Sequence, residues 1–174
     1  AVTLEVDGFG NVLKSVAIGY PRRIPQFDEQ KNAQATLTES QYTNPVLEAA
    51  AYCTPLPAEV KPYDLTAPTP KGSKPPDFAV IEKLAAAAVE IAYEAQPALG
   101  QTQKRLIEQV RTLYRKNDLS AFLPLGKPES MGLHGESYKL ALTPGPLHLF
   151  QANASPGEPH HLPPVPLSPD RPPR

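Results

Sequence analysis

Three observations predict a mainly β chain with one short helix, at about residues 77–90, and Pro-rich parts that are extended or disordered. The first 23 residues alternate apolar and polar side chains about a glycine-rich turn. Prolines number 23 in 174 residues, roughly 13% against a usual ~5%. At that density the missing backbone donors and fixed φ keep much of the chain out of helix. The segment 77–90 combines an acidic cap with a helical stripe.

The elements follow in order. Val2, Leu4 and Val6 alternate with Thr3 and Glu5, as in a half-buried strand. Asp7-Gly8 and Gly10-Asn11 tolerate positive φ and form the hairpin loop. Val12, Val16, Ile18 and Tyr20 then recur on one face, with Lys14 breaking it. Residues 24–34 are polar and read as a connection, and Ala35–Ser40 is a third strand with Leu37 as its apolar point. Asn44 before Pro45 is biased away from helix, so 41–45 reads as a turn. The pattern of Val46–Tyr52 does not separate helix from strand. Seven prolines between 54 and 76 predict extended, polyproline-like chain with a brief strand around Val60–Leu65.

Asp77 caps the helix, and Phe78, Ile81, Ala85, Ala88 and Val89 form its stripe, in a run of good helix formers. Ile91–Glu94 reads as the strand it leads into. Lys104–Arg115 fits two periods. As a helix, Leu106, Ile107, Val110, Leu113 and Tyr114 make one stripe; as a strand, Leu106, Val110 and Tyr114 share a face with Glu108 and Thr112, a poorer split. Pattern alone favours helix. Residues 123–135 are turn-rich, and Ser137–Thr143 alternates as a strand with Tyr138, Leu140 and Leu142 on one side. Eight prolines between 156 and 174 predict a disordered or polyproline-like tail.

Composition excludes several function classes. The net charge of −1 and the scattered Lys and Arg give no basis for a nucleic-acid partner. One cysteine rules out an internal disulfide framework and a Cys-rich zinc site. No apolar run approaches the ~18 residues of a membrane span, so no direct membrane insertion is expected. The chain starts at Ala1, which reads as a processed, cut or partial product.

Residues with possible chemistry each have a simpler reading. Gly8-Phe9-Gly10 follows a strand, but no third glycine opens a helix, so a hairpin turn is favoured over a dinucleotide loop. Cys53 with His134 or His148 could form a nucleophile and base, yet nothing in the sequence brings them together. His160 and His161 are adjacent rather than spaced to converge on a metal. Arg22, Arg23, Lys104, Arg105, Arg111, Arg115 and Lys116 are interleaved with Glu108 and Asp118, as on solvated edges or in ion pairs. Asn153-Ala154-Ser155 fits a glycosylation sequon followed by Pro156, and Leu162–Leu167 could dock in an SH3-like groove.

Five blocks in one order carry a family resemblance. They are Val6–Arg23, Thr38-Glu-Ser-Gln-Tyr-Thr-Asn44, Leu56–Leu65, Lys104–Arg115 with Asp118-Leu119 and Leu123–Gly126, and Tyr138–Gly145. Together they resemble the middle-to-C-terminal region of insecticidal toxin complex B-type subunits, the TcB or TcdB-like proteins, over roughly residues 1–145. The resemblance implies an incomplete segment of an Rhs/YD-type β shell. In that family, B and C subunits enclose a cytotoxic polypeptide and hand it to a pore-forming A subunit.

The implied partners are therefore the remainder of the B subunit, a C-type subunit, the enclosed toxin and, through the assembled complex, the A-type pore. The implied location is secreted, and the origin bacterial. The segment resembles neither the family's propeller gate, nor its aspartic self-cleaving site, nor an effector. No catalytic, cofactor-binding or metal-ligating residue is implied, and no cofactor. The resemblance makes Lys104–Arg115 a strand, against its pattern. It sets the boundary of the shell segment at 1–145 and leaves 146–174 as a Pro-rich tail: an unrelated read-through, a frameshifted end or a divergent linker. An alternative role is a Pro-rich module that recruits a partner through residues 156–174.

Overall fold

The computed structural model describes residues 1–66 and 76–147. The His148, sequon, His160-His161 and Pro-rich-tail expectations lie outside these residues, as does the polyproline expectation for 67–75.

Ten strands and one α-helix follow in the order β1 (Val2–Val6), β2 (Val12–Gly19), β3 (Gln34–Tyr42), β4 (Val46–Glu48), β5 (Ala51–Cys53), β6 (Pro57–Thr66), α1 (Phe78–Ala87), β7 (Val89–Ile91), β8 (Gln103–Leu106), β9 (Val110–Tyr114) and β10 (His134–Lys139). Eight of the strands make one sheet in the order β1-β2-β3-β6-β8-β7. β9 also pairs with β6, further along that strand, and carries β10 on its outer side. Only β7 and β8 run parallel; the other pairs are antiparallel. β4 and β5 form a separate hairpin.

The N-terminal hairpin is as the sequence predicts. The Asp7 carboxylate accepts from the backbone N–H groups of Phe9 and Asn11 and from the Asn11 amide, each at 2.9 Å, and Gly10 adopts φ +84°. These bonds hold the loop without a regular two-residue turn. The pairing shifts register between Thr3 and Val6, which bends the edge strand.

β3 runs on through Tyr42, so the turn expected at 41–45 begins later. Its extension pairs Gln41 with Glu59 and Tyr42 with Pro57. The Ala-rich 46–52 region resolves as the hairpin, and the brief strand expected at 60–65 is a full ten residues.

Pro57 opens β6, where proline is tolerated, but Pro62 sits inside a strand with neighbours on both sides, where proline is usually excluded. The Pro62 carbonyl accepts from the Ile107 N–H at 2.9 Å. In a strand a residue's N–H lies on the same side as its carbonyl, so the donor that Pro62 lacks falls on the β8–β9 side. There Ile107–Gln109 leave the ladder between β8 and β9, and no regular pairing needs that donor.

α1 spans Phe78–Ala87, with the Asp77 carboxylate accepting from the Phe78 N–H at 2.7 Å. It ends three residues before the sequence span does, because Val89 turns into parallel pairing with Gln103. Its stripe packs Ile81, Ala85 and Ala88 over Val16, Leu37, Tyr63 and Leu65, the buried core. β7 ends at Ile91, so most of the strand expected at 91–94 is turn.

Lys104–Arg115 holds two short strands, β8 and β9, separated at Ile107–Gln109, and not the helix its pattern favours. Neighbouring β6 supplies partners for Leu106, Arg105, Lys104, Val110 and Arg111, and such pairing overrides local propensity. The last strand sits earlier than its alternation predicts, at 134–139. Leu140 still donates to the Gln109 carbonyl, but the Thr143 hydroxyl turns away to the Glu94 carboxylate, and residues 144–147 make a helical turn.

Candidate interaction surface

The sheet has two unlike faces. Register places Val16, Leu37, Tyr63 and Leu106 on one face, in a row across four strands. Side chains alternate, so Lys14, Glu39, Lys61, Glu59 and Arg111 lie on that same face beyond the apolar patch. α1 seals the apolar half. The charged half seals itself through ion pairs.

Glu59 is the centre of that half. It is 3% exposed and accepts from Lys61 at 2.7 Å, Arg111 Nε at 2.5 Å and the Gln109 amide at 2.6 Å. Burial pushes its carboxyl up. The hydrogen bonds from Lys61, Arg111 and Gln109 outweigh burial and bring it down to about 2. Lys104 reaches Glu39 at 2.8 Å while lying 4.4 Å from the centre of the Tyr63 ring. Burial, then the nearby Glu90 and Glu39 charges, push the Tyr63 phenol well above its ordinary value.

The opposite face carries Ser15, Ala17, Thr36, Thr38 and Ser40, with Arg105 paired to Asp64 at 3.1 Å. Registers Thr3–Ser15–Thr38–Pro62 and Ala17–Thr36–Asp64–Arg105 run straight across it. Leu13 and the row Ser40–Val60–Val110 share that face, so it mixes small hydroxyls and aliphatic side chains with one ion pair.

Large apolar side chains are instead left at the margins. Val6 on β1, Leu47 and Tyr52 on the β4–β5 hairpin, Val89 on β7 and Tyr138 on β10 are all exposed. No large apolar residue of β2, β3, β6, β8 or β9 is. Seven apolar side chains are buried among the described residues, while twenty-one large ones stay exposed. Singly exposed apolar residues are ordinary; here they lie on edge strands, on the β4–β5 hairpin, on the connections and, as Phe78 and Val80, on α1. A cleft of about 310 Å³ lies at one such margin, between Tyr93, Leu106 and Ile107 on one side and Leu140, Leu142 and Pro146 on the other.

The residues singled out for chemistry are dispersed. The Cys53 thiol lies 3.4 Å from the Thr54 carbonyl, and the His134 ring is 3.2 Å from the Ser137 hydroxyl. Neither hydrogen-bonds the other. Among the described residues no three His, Cys, Asp or Glu side chains group as metal ligands would. Gly8 and Gly10 belong to the hairpin turn.

Of the basic residues, Lys104, Arg105 and Arg111 are in cross-strand pairs and Arg115 lies 4.1 Å from the Phe122 ring centre. Glu108 pairs with Lys139, and Asp118 accepts from the Ser120 N–H. Glu59 falls inside the Leu56–Leu65 block, where sequence alone assigns it no role. The missed signal is parity: Glu59 and Lys61 alternate in step with Tyr63 and Leu65, on the face those residues bury.

No protein family matches the chain, and no curated protein does. A solved structure does. It is the crystal structure of TcdB2-TccC3 without the hypervariable C-terminal region, with a TM-score of 0.57 and 17% identity. The chain shares its fold with part of that structure. The likeness covers 86% of this chain and 7% of the other, so the chain spans a small fraction of the protein it resembles. At that identity the shared property is the mainly β fold, which in the solved structure is a small part of a much longer chain.

Proposed function

We propose that this chain is a non-enzymatic wall segment of a toxin-complex shell, which encloses a cytotoxic polypeptide for delivery into target cells. Its partners would be the remainder of a B-type subunit, a C-type subunit and the enclosed toxin, with an A-type pore reached through the assembled, secreted complex. One observation carries the reading: the fold likeness to TcdB2-TccC3 runs through 86% of this chain. The five ordered sequence blocks point the same way.

The physical character of the sheet supports it. Among the described residues β1 and β10 are edge strands of the sheet, with an open side each, and they carry exposed Val6 and Tyr138. Such edges are liabilities in a solitary protein and joints in a larger sheet. A closed shell satisfies them by continuing the ladder.

The test is co-expression of the reading frame that carries this chain with a C-type subunit, with an epitope tag inserted beside exposed Leu99. Electron microscopy with a tag antibody should decorate the wall of a hollow particle. A tagged chain that stays out of any particle and runs as a stable monomer contradicts the reading.

A further inference from the structure

The outer edge of β8 and β9 is covered from its two ends. β7 pairs along β8 as far as Arg105, and β10 pairs along β9 as far as Val110. Between them the Leu140 N–H still reaches the Gln109 carbonyl at 2.9 Å, and there the chain leaves the edge. The cleft of about 310 Å³ lies between the departing residues Leu140–Thr143 and the edge residues Leu106–Glu108.

Glu94, just past the end of β7, bridges this gap. Its carboxylate accepts from the Thr143 hydroxyl at 2.8 Å. The same carboxylate fills the space that a Cβ on Gly145 would need. Gly145 lies in the helical turn 144–147 and has no positive φ, so its backbone does not call for glycine. The close approach of Glu94 does. We propose that Leu140–Leu147 is a strap with two positions: clasped to Glu94, as in this structure, or closed on the open edge, with Ala141 and Leu142 lengthening β10 and filling the cleft.

The strap's own sequence fits the closed position. Tyr138, Leu140 and Leu142 alternate with Lys139 and Ala141, so the strand pattern runs on past the end of β10 at Lys139. The edge offers a register for it. Val60 and Tyr63 of β6 pair with Val110 and Leu106, so three steps on one strand face four on the other. One extra residue is thus already accommodated as a bulge. Continuing β10 past that bulge sets Leu142 opposite Leu106, at the end of the apolar row Val16–Leu37–Tyr63–Leu106.

Closure would cover Leu142, which is now 46% exposed, and would add to the ladder. The clasped position keeps the Glu94–Thr143 bond instead. That bond is exposed to water, where the net worth of one hydrogen bond is small, so the two positions compete closely. The device lies within this chain and does not depend on the shell reading.

Residue-resolved amide exchange and backbone chemical shifts, measured by NMR on the full chain, test this. Thr143→Val removes the donor and keeps the side chain's shape, and Glu94→Ala removes the acceptor. Gly145→Ala displaces the carboxylate. In a helical turn alanine is ordinarily the better residue. A role confined to that turn therefore predicts a steadier turn in Gly145→Ala, and the clasp predicts release.

The expected result in each variant is slowing of Leu142 amide exchange by at least about tenfold, with strand-like shifts at Ala141 and Leu142. Faster exchange at Leu142 in the variants would mean that the freed strap frays, and would overturn the closed position. Unchanged exchange in Glu94→Ala and in Thr143→Val, the mildest of the three changes, would overturn the clasp. Slow Leu142 exchange and strand-like shifts already present in the wild-type chain would overturn the clasped position.

Discussion

Replacing Glu59 by glutamine should remove the anchor of the charged half of the sheet. Glutamine keeps the shape of the side chain and removes its charge. At about pH 7 the carboxylate is fully ionised and holds Lys61, Arg111 and Gln109. Its drop from the ordinary 4.5 to about 2 corresponds to a contribution of about 3 kcal/mol. Lys61 and Arg111 keep partial access to water, so some of that loss is recovered and a cost of about 2 kcal/mol is expected.

The pH dependence gives a second readout. A carboxyl with a lowered folded-state value stabilises above its unfolded value and stops doing so as pH falls through the folded one. The gap between the wild-type chain and Glu59→Gln should therefore be full above about pH 4.5 and should close towards about pH 2. Urea titrations of both proteins across that range measure it. A cost below about 0.5 kcal/mol at neutral pH, or a gap that does not change with acid, would refute the buried-anchor argument.

Three further substitutions probe the scaffold. Leu37→Ala, at a fully buried position under α1, should cost about 2–5 kcal/mol in urea titration, since the close-packed cluster relaxes only in part. Gly135→Ala should cost about 1–3 kcal/mol by thermal melting, because an added Cβ would meet the Phe122 ring at 2.7 Å and the Leu113 carbonyl at 2.8 Å; Gly8→Ala, where nothing lies within 4 Å, is the control. Gly10→Ala should cost about 1 kcal/mol, through strain at φ +84° and not through contact, and the loss should show as faster amide exchange in the hairpin.

Where the sequence was legible, local chemistry and tertiary context agree. Asp7, Gly10 and Asn11 make the first loop from their own side chains and backbone preferences, so the hairpin reads directly. Asp77 and the Ile81–Ala85 stripe likewise announce α1.

Where the local pattern alone misleads, a neighbour decides. Lys104–Arg115 has a helical stripe, but β6 offers Asp64 to Arg105 and Glu59 to Arg111, and the sheet wins. Pro57 and Pro62 argue against a long central strand until the break at Ile107–Gln109 shows where the missing Pro62 donor falls. Ser137–Thr143 alternates well, yet Thr143 finds Glu94 and pulls the end of that run off β9. The interaction surface was hidden for the same reason: two unlike faces emerge only when several strands are set side by side. The parity of Glu59 and Lys61 with Tyr63 was the trace of it within one strand.

The central claim is that β1 and β10 are joints in a wall and not free edges. Hydrogen exchange of the Val2–Val6 and His134–Lys139 amides, in the isolated chain and in the assembled complex, tests it most directly. The account predicts fast exchange of the outward-facing amides alone and strong protection once the complex forms. Unchanged exchange at both edges after assembly would contradict it.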